Sequence, residues 1–152
     1  MKHYDKLIFV SESDTATGPM AEAILQREFL LEDILIVSKG LVLFPEPVNP
    51  KAEAVLVSHS LTMKDHISDQ LTDDDFDDRT LILTIDSQQK DRLLKDYSGA
   101  KNVFALSSYV QAEEEVHDPY GGSLADYNHC FEMLNMQVLR LASILSAEEM
   151  TR

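Results

Sequence analysis

Ser11, Ser13, Thr15 and Thr17 place hydroxyls, and Glu12 and Asp14 place carboxylates, in one short stretch, Ser11-Glu12-Ser13-Asp14-Thr15-Ala16-Thr17-Gly18. A serine hydroxyl attacks a substrate only when a neighbouring base takes its proton. The stretch holds no His, Lys, Arg or Cys. Asp14 as an aspartyl nucleophile fits poorly, because it lies several residues past the preceding apolar run and no Asp stands two positions later. A second group with chemical potential is Asp118, in Asp118-Pro119-Tyr120-Gly121-Gly122. An Asp before Pro commonly hydrogen-bonds its own turn backbone. His66 and His117 stand alone in the sequence and read as surface residues, not as ligands.

The elements around these residues follow from pattern. Leu7 to Val10 is apolar and β-rich, as in a strand buried on both faces. Gly18-Pro19 marks a helix start, with Pro19 suited to the first helical position and Gly18 or Thr17 to the cap. Met20, Ala23, Ile24 and Leu31 continue at helical spacing. A strand feeding a helix through a tight loop leaves free N–H groups and the positive end of the helix dipole at the loop, where anions are favoured.

Ile34 to Val37 reads as a second strand, and Leu41-Val42-Leu43-Phe44 extends its apolar run. Pro45 to Pro50 breaks that run, and Pro50 begins a helix that ends near His59-Ser60. Asp73 to Asp78 reads as a solvated loop or short helix with Phe76 pinned to the core. It lacks the central Gly and later Glu of an EF-hand calcium loop. Thr80 to Ile85 is a third strand. Asp86-Ser87 caps a helix to about Tyr97, stopped by Ser98-Gly99. Val103 to Leu106 is a fourth strand. From Ser123 a long helix carries Leu124, Tyr127, Phe131, Leu134, Val138, Leu141 and Leu145 at steps of three and four. Cys130 sits among them as a core filler. Alternating strands and helices imply a parallel sheet covered on both faces.

The chain has 152 residues, enough for one domain with a real core. Its formal net charge of -14 opposes binding to nucleic-acid phosphates and to anionic membranes, and favours basic protein partners. No signal-peptide pattern and no membrane-length apolar run is present. A lone cysteine precludes an intrachain disulfide and fits a cytoplasmic protein. No Cys-His spacing suggests a metal, and no cofactor motif is present.

Ser11 to Gly18 followed by Pro19-Met20-Ala21-Glu22 resembles the signature of the low-molecular-weight protein tyrosine phosphatases. That pattern is a strand, then Cys, five residues, Arg, Ser or Thr, then Pro-Met-Ala-Glu. Asp118-Pro119-Tyr120 resembles the family's Asp-Pro motif, which supplies the general acid beside an aromatic of the substrate cleft. Val37-Ser38-Lys39-Gly40 and Gln70-Leu71-Thr72 resemble its second-strand segment and the approach to its third strand. The resemblance spans nearly the whole chain and implies a single domain over residues 1–152. It implies an α/β three-layer sandwich with a four-stranded parallel sheet flanked by helices.

The resemblance places Ser11 at the nucleophile position and Thr17 at the arginine position. Glu12, Ser13, Asp14, Thr15, Ala16 and Gly18 then form the ligand-binding loop with Tyr120. The family's reaction needs a thiolate and a guanidinium that grips phosphate with two prongs. Neither is present. Each loop carboxylate would repel a bound anion by about 3 kcal/mol, taking roughly 5 Å and an effective dielectric of about 20. A cysteine-to-serine trap would keep the arginine, so the pattern reads as natural degeneration of the site. Glu12, Asp14 and Asp118 together form at best a poor hard-cation site, because side chains of this loop mostly point outward in the family. Ser38 is placed to hydrogen-bond the loop. Arsenate reduction, found on the same fold, needs several thiols. The expectation is therefore a catalytically inactive phosphatase-like protein that binds or regulates a protein or phosphoprotein. The competing expectation is a phosphomonoester hydrolase using Ser11 or Asp14, with or without a metal.

Overall fold

The computed structural model describes residues 4–28, 33–42 and 45–150. Leu31, Leu43 and Phe44 lie outside them. In chain order the elements are β1 (Lys6–Ser11), α1 (Thr17–Glu28), β2 (Leu35–Gly40), α2 (Pro50–Ser58), β3 (Thr80–Thr84), α3 (Ser87–Asp96), β4 (Val103–Ala105), a four-residue α4 (Leu106–Tyr109) and α5 (Leu124–Met150). A 3-10 turn at Asp73–Asp75 interrupts the α2–β3 connection. The four strands are all parallel, in the order β2-β1-β3-β4. The α/β sandwich expected from the sequence is thus the observed fold.

β1 is central, and Leu7, Ile8, Phe9 and Val10 are all fully buried. Strand period two divides them. Leu7 and Phe9 enter the larger core beneath α1, α2 and α5, while Ile8 and Val10 enter a smaller one with Leu93 of α3 and Val103 of β4. Each such side chain contributes about 1.5–3 kcal/mol. α5 presents Tyr127, Phe131, Leu134, Val138, Leu141 and Leu145 to the larger core. Leu124, the first of that series, is instead half exposed (52%). Cys130 is buried there, and desolvation pushes its thiol up to about 12. It is packing material, as expected.

Several details differ from the sequence reading, among them β4, whose expected last residue Leu106 opens α4 instead. α1 starts at Thr17, so Pro19 is its third residue, and Thr17 and Gly18 are helical rather than capping. Proline is tolerated because N–H groups of the first turn have no intrahelical partner. β2 runs on to Gly40, because Gly40 pairs with Ser11 at the end of β1. The acidic segment is a short helical turn, but not a fully solvated one. Asp75 is buried and its carboxylate accepts from Lys39 Nζ at 2.9 Å.

β1 has β2 on one side and β3 on the other, so the connections leaving β1 and β3 run to opposite sides. Open parallel sheets bind ligands at this reversal, outside the carboxyl ends of the strands. The Ser11–Gly18 loop occupies that place.

Candidate active site

The loop is shaped by what its carbonyls do. The Ser11 and Glu12 carbonyls accept from Leu41 N–H, Glu12 also from Val42, and Thr15 from Asn49, at 2.7–3.0 Å. Across a planar trans peptide, C=O and the following N–H point opposite ways. The N–H groups of Glu12, Ser13 and Ala16 therefore point away from those partners. Asp14 N–H donates to Ser11 Oγ at 3.1 Å. Gly18 is needed for this, since a Cβ there would lie 2.9 Å from Ser11 Oγ.

The concave side opens as a pit of about 20 Å³ lined by Ser11, Ser13, Thr15, Ala16, Thr17, Asn49, Asp118, Tyr120 and Tyr127. That is room for about one water. Ser13 and Thr15 share a hydroxyl–hydroxyl bond at 2.8 Å. Asn49 and Tyr127, which the sequence did not single out, complete the wall. Asn49 is also the N-cap of α2, accepting from Lys51 and Ala52 N–H. Asp118 is exposed and accepts from Tyr120 N–H at 3.0 Å, closing a local turn. Tyr120 is 86% exposed and stands open at the rim.

Glu12, Asp14 and Gly18 do not line the pit. Of the loop residues expected around a ligand, these three therefore do not present their side chains to the pit. Glu12 turns to the surface and pairs with Arg92 of α3 at 2.7 Å. Asp14 turns behind the loop and is fully buried. Its Oδ2 accepts from His66 Nε2 at 2.9 Å and from Asp69 N–H at 3.0 Å. Its Oδ1 is buried without a partner. The backbone allows this turn because Asp14 sits at φ 57°. Asp is among the few non-glycine residues at home in that region. Gly40 lets β2 approach, since a Cβ there would lie 3.2 Å from Asp14 Cβ.

His66 is therefore not a free surface residue. Its side chain is 14% exposed, and the bond to Asp14 raises its pKa above 6.5 against the opposing effect of burial. Glu22 of α1 completes the buried group, and desolvation raises its pKa too. Ser38 Oγ makes no hydrogen bond to the loop; it is buried against the Glu22 carboxyl without well-aligned hydrogen-bond geometry. His117 is exposed. Glu12, Asp14 and Asp118 do not converge, and among the described residues no three His, Cys, Asp or Glu side chains are placed to hold a metal. No helix among the described residues is long and apolar enough to cross a membrane.

A family model described as low molecular weight phosphotyrosine protein phosphatase matches residues 6–151. The low molecular weight protein-tyrosine-phosphatase PtpB of Staphylococcus haemolyticus is 31% identical over 130 residues, covering 85% of this chain and 91% of that protein. The YwlE arginine phosphatase of Geobacillus stearothermophilus superposes with a TM-score of 0.88 at 27% identity, over 97% of this chain and 96% of that one. A cysteine-to-serine mutant of YwlE arginine phosphatase, with a phosphorylated active-site serine, superposes with a TM-score of 0.84 at 28% identity, over 93% and 95%.

Proposed function

The chain belongs to the low molecular weight phosphotyrosine protein phosphatase family, and from that premise we propose that it is a phosphatase-like domain without phosphotyrosine turnover, serving a binding or regulatory role. The observation that carries this reading is the concave side of the loop. It offers hydroxyls at Ser11, Ser13, Thr15 and Thr17 where the reaction needs a thiolate and a guanidinium. Ser11 Oγ already accepts a loop N–H, and no histidine or lysine lines the pit as a base. Arg92, the cation paired with Glu12 near the loop, is turned to that carboxylate. Asp118, at the general-acid position, is a turn-former in this reading. The partner is a cytoplasmic protein or phosphoprotein, and the net charge of -14 disfavours nucleic acid and membrane. Assay of p-nitrophenyl phosphate with the native chain and Asp118→Ala tests it. Both should stay at background, and turnover abolished by Asp118→Ala would overturn it.

A second reading draws on the YwlE mutant with a phosphorylated active-site serine. In this second reading the Ser11 hydroxyl of the present chain would take the phosphoryl group from substrate, and water would then release it as phosphate; the described residues offer no cluster that fits a metal for that release. Phosphate release stimulated by Mg²⁺ or Mn²⁺ would favour this hydrolase reading, and none across a metal panel would remove it.

A further inference from the structure

Between α5 and the connection that precedes it lies a cavity of about 320 Å³. That volume is in the range of small-ligand pockets. It shares no lining residue with the pit of the Ser11–Gly18 loop. α5 supplies Met133, Met136, Gln137 and Arg140, whose spacing puts them on one helix face. The connection supplies residues 111–114. Two side chains clip it to the helix. Gln137 Nε2 donates to the Glu114 carbonyl at 2.7 Å, and Arg140 Nη1 donates to the Gln111 carbonyl at 3.3 Å. Gln137 is 5% exposed, and its Oε1 is buried without a hydrogen-bond partner. An acceptor left so is destabilising until a donor meets it. Glu113 and Glu114 add two exposed acids to the lining, against one guanidinium at Arg140. Arg140 lies about 4.5 Å further along the helix axis than Gln137.

The unmet acceptor calls for a donor, and the acids, on a chain of net charge -14, call for a cation. A guanidinium offers several N–H donors and a positive charge on a stem that packs on apolar surface. Met133 and Met136 give that stem a soft wall, and their flexible side chains yield to an entrant that reaches the Gln137 oxygen. The apolar ground continues outside the cavity. Met136 is 65% exposed, and Leu139, three residues on along the same helix, is 40% exposed. A free small molecule in the cavity leaves that step uncovered, whereas a polypeptide covers it. We propose that the cavity is a docking site for a basic segment of a partner protein. The segment seats an arginine side chain between Gln137 and the acids Glu113 and Glu114, and lays an apolar neighbour on Met136 and Leu139. Arg140, held to the Gln111 carbonyl, marks the end that takes the segment's carbonyls rather than its cation.

Nuclear magnetic resonance of the full chain, titrated with acetyl-Ala-Leu-Arg-Leu-Ala-amide, tests this without reference to turnover. The docking site can therefore fail while the reading of the loop stands, and the reverse. The Gln137 side-chain amide and the backbone amides of residues 111–114 should shift together and saturate. The same peptide with Glu in place of Arg should leave them unmoved. Arginine amide alone should bind more weakly, because it leaves Met136 and Leu139 uncovered. The Glu113→Gln, Glu114→Gln double variant removes two exposed charges and should raise Kd by about threefold or more. Added salt should weaken binding in the native chain. Gln137→Leu removes the acceptor and should weaken binding too. Met136→Ala guards against misfolding of that variant, since it lies at an exposed position and breaks neither bond that clips the connection to α5. It should also weaken binding. No shift at these positions with the Arg peptide, equal shifts with the Glu peptide, or arginine amide binding as tightly as the Arg peptide would overturn the proposal.

Discussion

The two sides of the Ser11–Gly18 loop hold different kinds of polar group. The concave side presents neutral hydroxyls around a pit of about 20 Å³. The opposite side packs a carboxylate against a histidine and a second acid, largely out of water. Glu12 and Asp14 are two residues apart, yet one goes to a surface arginine and the other to the buried group behind the loop. A loop's composition thus says little about the field at its centre. Backbone conformation decides which side each charge takes, and the φ of 57° at Asp14 makes the choice here.

The comparison breaks first at the back. His66→Ala would leave Asp14 buried and unpaired, and a one-sided deletion of a buried pair costs about 3 kcal/mol or more. Urea unfolding near pH 6 should show that loss. A loss under about 1 kcal/mol, the worth of an exposed pair, would mean that water already reaches the carboxylate. The pH dependence has the same origin. Because the folded pKa of His66 is raised, its contribution is complete below about 6.5 and declines as pH rises through the folded value. The unfolding midpoint should fall over that interval in the native chain and stay flatter in Asp14→Asn.

Changes at the front and rim are smaller. Asp118→Ala removes one exposed turn bond to Tyr120 N–H and should cost about 0.5–1.5 kcal/mol. Urea unfolding would measure it, and a loss above about 3 kcal/mol would show that Asp118 does more than close its turn. Arg92→Ala breaks an exposed pair and should change stability by less than about 1 kcal/mol. If that variant costs as much as His66→Ala, front and back are not energetically distinct.

The sheet and its helices were legible in the sequence because their signals are local. Leu7 to Val10 and Thr80 to Ile85 are apolar runs with no other good solution, and Asp86 announces α3 with a capping box observed in the fold. The loop's place at the end of β1 followed from the same pattern. The buried group behind it was not legible. His66 lies 52 residues from Asp14 and stands alone in sequence, and it is the docking of the α2–β3 connection on the end of β2, through Gly40 and residues 69–71, that brings it there. Arg92 reaches Glu12 by the same kind of long-range accident, as do Asn49 and Tyr127 at the pit wall. Thr17 and Gly18 read as a cap because Gly-Pro is a helix-start signal, but that signal did not locate the start to the residue.

In the proposed reading this chain keeps the family scaffold and lacks the thiolate and guanidinium of the reaction. Hydrolysis of a phosphotyrosyl peptide by the native chain and by the Ser11→Cys, Thr17→Arg double variant tests it most directly. The native chain should stay at background, and the double variant should rise above it by roughly 100-fold or more, the worth of a restored transition-state contact. Turnover by the native chain that survives purification and is lost in Ser11→Ala would show that the loop still carries a working nucleophile.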